Sequence, residues 1–460
     1  MTQQTIQRRD GPVLDDIASA CPREIAAARR ALAIAFGPPE HRGFAVRLWD
    51  GSVDGGTGDS APFTFVVRRP GALRRALLPP SELAIVQAYL RDDLDIEGDL
   101  ESAGTITDVA ARHLRTLGAL AGLIGALRSL PTDDLRHSNG APARTSNEFA
   151  QFSGHSRSGD AANIRHHYDV GNDFYSLWLD TRMLYSCAYF LTGTEDLDAA
   201  QGAKLEHICR KLRLRAGDHL LDVGCGWGAL LEYAATRYGV SGVGITLSEP
   251  QAELARERFA AAGVGDRVRV EVRDYRDLPP EWRFHKAVSV GMREHVGAGK
   301  LPAYYACVFR ALEPGGLFLD HGIVRGETFA TESPLEWLVS RLWRRDAFIQ
   351  KYVFPGGELV PLGPLIQCAE GAGFEARDVE NLREHYVHTL RHWVARLERA
   401  HAQASALVGE HTYRVWRLYM AATSIGFLSG RLTLIQTLLA KPMPSGTVSV
   451  PLTREDVYNR

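Results

Sequence analysis

Two short runs alternate apolar and polar residues, FAVRLW (44–49) and FTFVVRR (63–69), on either side of a Gly/Asp/Ser-rich stretch, the pattern of a hairpin or meander. An Ala- and Arg-rich lead-in over residues 1–35 reads as helix forming. RPGALRRALL (69–78) and PPSELAIVQAYL (79–90) read as short helices with Pro at their starts, where its missing N–H costs little. Helical spacing returns over 106–130. The polar stretch 131–160 has no hydrophobic period and reads as a linker. These features predict a small N-terminal α+β domain, 1–130, followed by a larger domain, 161–445, and a tail, 446–460.

The larger domain alternates strand and helix patterns from Leu220 to about Ile323, the signature of a doubly wound α/β sheet. Its centre is LLDVGCGWGALL (220–231). There an apolar run ends in Asp222 and a Gly-Cys-Gly-Trp-Gly turn, then opens into a helix, as the first strand, loop and helix of a Rossmann-like unit do. In such sheets ligands sit at the carboxyl ends of the strands. Strand one ends at Gly224, strand two at Thr246, and strand three at Asp274 and Tyr275. Strand four runs out to Glu294 and His295, and strand five reaches His321 and Ile323. After Pro361 the α/β patterning resumes and ends in a long Ala/Leu-rich helical region with Tyr386, Trp393, Trp416 and Tyr419, aromatics that read as core.

The loop spacing decides the cofactor. A dinucleotide site requires GxGxxG and a carboxylate at the end of strand two; here the spacing is GxGxG, and strand two delivers Thr246. NAD is disfavoured. S-adenosylmethionine, whose amino-acid part packs against such a loop, is the alternative, with Asp222 and the loop amides as its polar contacts. A tight turn without ligand is the bland reading of the loop alone.

Composition narrows the class further. With 460 residues, 45% hydrophobic, 23% charged and a net charge of −2, the chain is an ordinary globular protein and no nucleic-acid binder by charge. Its six cysteines contain no CxxC pair, so neither zinc nor a disulfide framework is suggested. The adjacent His166 and His167 point apart on any regular element and make no metal site. The polar start MTQQTIQRRDG carries no h-region, and no apolar run is long enough to span a bilayer, so a cytoplasmic location is expected. Two basic features stand out. Arg68, Arg69, Arg74 and Arg75 cluster on a solvated face or on an anionic lipid or partner surface. An amphipathic insert at about 333–352 sets Leu335, Leu338, Leu342, Trp337 and Trp343 against Arg341, Arg344, Arg345 and Lys351, suited to a bilayer surface, a dimer contact or the core.

The motifs HYDVGNDFYSLWLD, MLYSCAYF, LDVGCGWG, GITLSEPQ, DYRDL, EHVG, HGI and KYVFPGGEL together resemble those of the cyclopropane-fatty-acyl-phospholipid synthases, within the mycolic-acid cyclopropane synthase group of methyltransferases. The resemblance runs from the second strand pair of the small domain to about Leu439. It implies a class I methyltransferase sheet with a smaller N-terminal lipid-access domain. It also implies transfer of a methylene from S-adenosylmethionine to a cis double bond in an acyl chain of a membrane phospholipid. It places cofactor contacts on Tyr185 and Ser186; on Asp222, Gly224, Cys225, Gly226 and Gly228; on Thr246 and Gln251; and on Tyr275 and Arg276. The family more often has Trp and Glu at the last two. The family's bicarbonate base maps onto Cys187, Glu294, His321, Ile323 and Tyr386, with Cys187 and Ile323 acting through the main chain. With the insert, the resemblance favours a homodimer in peripheral contact with the inner membrane surface.

The bland readings are a buried thiol for Cys187, a structural histidine for His321, and a local surface pair for Arg276 and Asp277. Arg293 departs from the family, which has an apolar residue before the glutamate; a guanidinium reaching the carboxylate or the anion would tighten anion binding. Three other outcomes compete with ring closure: a methylene- or methyl-branched acyl chain, methylation of a different alkene such as an isoprenoid, and a non-catalytic lipid-binding relative.

Overall fold

A computed structural model describes residues 22–56, 61–79, 81–132, 170–326, 347–354 and 357–458. Most of the predicted linker and insert, and His166 and His167, lie outside these residues. The described residues fall into two compact units, 22–132 and 170–458.

The first unit opens with a helix, Pro22–Phe36, and holds a four-stranded sheet of β1 (Ala45–Arg47), β2 (Val53–Asp54), β3 (Phe63–Val67) and β4 (Leu94–Gly98) in the order β2-β1-β3-β4. The expected hairpin is made by β1 with the two-residue β2. The two alternating runs themselves, β1 and β3, pair in parallel, with Val46 opposite Phe65. Alternation fixes which residues face the core and leaves the neighbour's direction open. That core stacks Phe44 on Phe63 at 4.9 Å and sets Phe36 edge-on to Phe44 at 5.6 Å. The predicted helix over 106–130 is two, Thr105–His113 and Leu117–Arg128, the second capped by Thr116. The basic cluster is engaged within the unit: Arg68 pairs with Asp92 and Asp95, Arg69 and Arg75 with Asp93, and Arg74 donates to the carbonyls of Arg128 and Leu130.

The second unit is the doubly wound sheet that the sequence predicts. β5 (His219–Val223), β6 (Ser241–Thr246), β7 (Val268–Val272), β8 (Phe284–Val290), β9 (Leu312–Arg325), β10 (Glu375–Asn381) and β11 (Leu432–Ala440) lie in the order β10-β11-β9-β8-β5-β6-β7. The five strands from β7 to β9 are parallel, and β11 runs antiparallel between β9 and β10. Neighbours on β5 face opposite ways: Leu220 joins the core beneath the helix Leu197–Lys211, and Leu221 the core beneath the helix Leu301–Ala311. β11 corrects the sequence reading, which carried helix to the end of this region. LTLIQTLLA is apolar on both faces because it lies inside a sheet covered on both sides, and such a run has no period to tell strand from helix. Among the described residues no helix is long and apolar enough to cross a membrane.

Candidate functional site

The chain leaves β5 through three glycines with positive φ, Gly224 (+83°), Gly226 (+54°) and Gly228 (+80°). The loop is fastened to β6 by the amides of Gly224 and Cys225, both donating to the Ile245 carbonyl at 2.9 and 3.0 Å. The glycines do different work. A Cβ on Gly228 would come within 2.9 Å of Phe259 and Ala255, so this glycine lets two helices approach and does not line the cavity, contrary to the contact that the resemblance implies for it. A Cβ on Gly226 would meet nothing within 4 Å, because Gly226 faces a cavity of about 1180 Å³ including its open mouth.

The other residues predicted to contact the cofactor line that cavity. Asp222 is buried beneath it, and burial raises its carboxyl to about 7 while Lys204 pulls the other way. Thr246 ends β6, and its hydroxyl is held by the Gln251 side chain at 2.8 Å on a helix capped by Ser248. Tyr275 and Arg276 form a short turn after β7. Arg276 forks onto Asp274, at 2.8 and 2.5 Å, and lies over the Tyr275 ring. Asp274 also caps the Arg276 amide, so Arg276 is held by Asp274 on both its backbone and its side chain. Tyr185 and Ser186 form a strap across the cavity. Gln201 holds the Leu184 and Ser186 carbonyls, and Lys204 donates to the Ser186 hydroxyl at 2.7 Å. Gln201 and Lys204 escape the sequence reading, although their spacing of three on the helix Leu197–Lys211 was a signal that both share one face.

At Gly226, replacement by Ala puts a methyl into the cavity at a φ that L-residues adopt at a cost of about 1–2 kcal/mol. We expect S-adenosylhomocysteine affinity to fall roughly tenfold, by calorimetric titration, with turnover at saturating cofactor changed much less.

The second predicted set lies beside the cavity, and none of its five residues lines the cavity wall. The reason is the length of β9, which carries His321 and Ile323 inside the strand and not past its end. Gly291 donates to the His321 carbonyl at 2.8 Å as β8 finishes. Two residues on, the ladder has no further strand, and the Glu294 carboxylate takes its place, accepting from the Ile323 amide at 2.6 Å. Ile323 lies opposite Leu434 on β11. The Leu434 carbonyl accepts from Leu382, at the start of the helix Arg383–Arg399 that bears Tyr386, and the Cys187 thiol points at the Leu382 carbonyl at 3.9 Å. Glu294 thus touches Ile323 directly, His321 lies two residues back on the same strand, and Cys187 and Tyr386 connect to Ile323 through Leu382 and Leu434. The Ile323 amide, expected to meet an anion, is occupied by Glu294.

Burial governs the charges in this cluster. It raises the Glu294 carboxyl despite Arg293, and holds His321 well below the ordinary imidazole value, with Lys204 and Arg293 adding to the effect. Gln436 presents its amide nitrogen to His321 Nδ1 at 3.1 Å, an assignment that leaves the proton on Nε2. His321 Nε2 and Glu294 Oε2 are both buried without a partner among the described residues. Burial also pushes the Cys187 thiol far up, so it is no thiolate nucleophile. Arg293 meets the Asp320 carboxylate at 2.6 Å, with Tyr305 on the same oxygen at 2.7 Å, and touches the Ile323 carbonyl only at 3.5 Å.

Between cavity and cluster lies an aromatic box. Tyr175, Trp178, Tyr185, Trp393 and Trp416 approach one another at centroid distances of 5.3–6.0 Å. Trp227 of the glycine loop joins Tyr175 at 5.3 Å, and Tyr386 meets Trp393 at 5.9 Å and Phe427 at 4.8 Å. Trp178 and Trp393 are fully buried, so one end of the box is dry.

Residues 155–437 match the family model described as mycolic acid cyclopropane synthetase. A probable fatty acid methyltransferase from Pseudomonas putida is 41% identical over 91% of this chain and 97% of its own. The cyclopropane-fatty-acyl-phospholipid synthase of Escherichia coli is 37% identical over 61% of this chain and 68% of its own. Among solved structures, mycolic acid cyclopropane synthase CmaA1 complexed with SAH and CTAB superposes with a TM-score of 0.58 at 33% identity, covering 61% of this chain and 98% of that one.

Proposed function

The chain belongs to the mycolic acid cyclopropane synthetase family, and from that premise we propose that it transfers a methylene from S-adenosylmethionine to a cis double bond in a phospholipid acyl chain, closing a cyclopropane ring. The observation that carries this reading is the pair of buried atoms without a partner among the described residues, Glu294 Oε2 and His321 Nε2, together with a dry aromatic box and the nucleoside cavity.

When bound, the cofactor supplies an electrophilic sulfonium methyl. The π electrons of the alkene form the new carbon–carbon bond to that methyl, S-adenosylhomocysteine departs with the sulfur's electron pair, and the acyl chain is left with a cationic carbon. The faces of Tyr185, Trp393 and Trp416 stabilise such a charge and exclude water that would quench it to an alcohol. Loss of one proton from the added methyl then frees the electrons that close the ring. A bicarbonate would supply the base, and the cluster fits one: a neutral His321 offers its Nε2 proton to the anion, and Glu294 Oε2, buried without a partner among the described residues, accepts and orients the bicarbonate's own proton. Cys187, Ile323 and Tyr386 complete the walls of that site. The first unit is read as serving lipid access, and the whole chain as a homodimer working at the membrane surface.

A second product is a methylene-branched chain of equal mass; the name of the relative from Pseudomonas putida, a probable fatty acid methyltransferase, specifies no ring closure. One experiment addresses both. Incubation with methyl-labelled cofactor, bicarbonate and dispersed phospholipid bearing cis-unsaturated chains, followed by proton NMR of the acyl chains, is expected to give cyclopropane protons. Vinylidene protons would replace the ring-closing reading by the branched product, and no release of S-adenosylhomocysteine would leave a non-catalytic relative.

A further inference from the structure

The helix Leu197–Lys211 carries a buried polar stripe, Gln201, Lys204, His207 and Lys211. Three of these have partners that account for their burial. Gln201 holds two carbonyls, His207 meets Glu380 at 2.7 Å, and Lys211 pairs with Glu380 and with Asp378 at 3.0 Å. Lys204 is different. It is 1% exposed, yet its acceptor among the described residues is the neutral hydroxyl of Ser186, and it reaches no carboxylate within ion-pair distance. A buried ammonium on one hydroxyl is short of partners, and its burial lowers its pKa to about 8.

Lys204 lines the cofactor cavity, and so does Asp222, a buried carboxylate without a hydrogen-bond partner among the described residues. The arginines that also line the cavity are already matched, Arg273 by Glu271 and Arg276 by Asp274. The end of the cavity beneath the Tyr185–Ser186 strap therefore presents one cation and one anion, the complement of an α-amino acid zwitterion. We propose that Lys204 receives the α-carboxylate of the cofactor's amino-acid half, with Asp222 facing its ammonium. This rests on the S-adenosylmethionine reading. Binding then completes the shell of a cation that the protein alone leaves under-coordinated, and fixes the Ser186 hydroxyl on the same ammonium.

The test pairs a variant with a ligand lacking the group in question. Calorimetric titration of wild type and Lys204→Met with S-adenosylhomocysteine, and with its decarboxylated analogue that keeps the adenosine, thioether and amine, gives four affinities. A charge-assisted contact of this kind is worth roughly tenfold or more in affinity. Lys204→Met is expected to lose at least that on S-adenosylhomocysteine and less than twofold on the analogue. Equal loss on both ligands, or no loss on either, overturns the proposal, because a merely structural lysine would not distinguish them. Lys204→Gln serves in the same comparison should the methionine variant not fold. Failure of the wild type to bind S-adenosylhomocysteine at all would strike the cofactor reading instead.

Discussion

Glu294→Gln is expected to lower the rate of S-adenosylhomocysteine release by about 10²–10⁴-fold, the range for a group that handles a proton in the transition state. The substitution is close to isosteric, and its amide oxygen can still accept from the Ile323 N–H that Glu294 Oε1 now takes at 2.6 Å. The end of β9 therefore keeps its substitute for a missing strand, and the fold has no reason to change. What is lost is the carboxyl oxygen Oε2 that takes up and orients a proton, buried and without a partner among the described residues. Glu294 does not line the cofactor cavity, so affinity for S-adenosylhomocysteine is expected to stay within about twofold of wild type. Turnover measured on unsaturated phospholipid vesicles and titration of S-adenosylhomocysteine on the same preparation check the two halves. Equal loss of both would remove Glu294 from the chemistry and make it a support for the loop.

The glycine loop was legible in the sequence because its demands are local. Asp222, the apolar pair before it and three positive-φ glycines lie within the nine residues 220–228, and no distant part of the chain alters what such a turn can do. The cluster of Cys187, Glu294, His321, Ile323 and Tyr386 was not legible in that way. It is assembled by a strand that overruns its neighbour, and by β11, which pairs with β9 only after the chain has made the two long helices Arg383–Arg399 and His401–Leu428. Strand register brought Glu294, His321 and Ile323 to one edge of the sheet, but only the family resemblance added Cys187 and Tyr386 and joined the five as one site. Lys204 was missed for the opposite reason. A lysine three residues from a glutamine reads as the solvated face of a helix, and only the strap of Tyr185 and Ser186 lying across it makes that face interior. Arg276 shows the same limit on a smaller scale: adjacency in sequence points to Asp277, one residue on, whereas the turn brings the guanidinium onto Asp274, two residues back.

Arg293→Leu is expected to cost about 3–5 kcal/mol of stability, because it leaves the Asp320 carboxylate buried without its counter-charge. Both side chains are almost fully buried, at 4% and 1% exposure, so water cannot take over the lost role. Tyr305 still donates to Asp320, but one phenol does not neutralise a carboxylate. The sequence raised a different part for this arginine, a direct hold on the anion or on Glu294, and the geometry redirects it: the guanidinium is committed to Asp320 and lies against Gly322, where a Cβ would fall 2.7 Å from it. Its influence on Glu294 is therefore electrostatic and through the Ile323 backbone, whose N–H serves Glu294 and whose carbonyl, in the next peptide unit, faces Arg293. Urea unfolding measures the effect, and a second change separates its causes. Asp320→Asn added to Arg293→Leu removes the orphaned charge while keeping an acceptor for Tyr305, so the double variant should regain most of the loss. If the single variant unfolds at the wild-type midpoint, the pair contributes nothing to stability. The bicarbonate dependence of its rate then remains the measure of whether an arginine in a place the family keeps apolar acts on the anion after all.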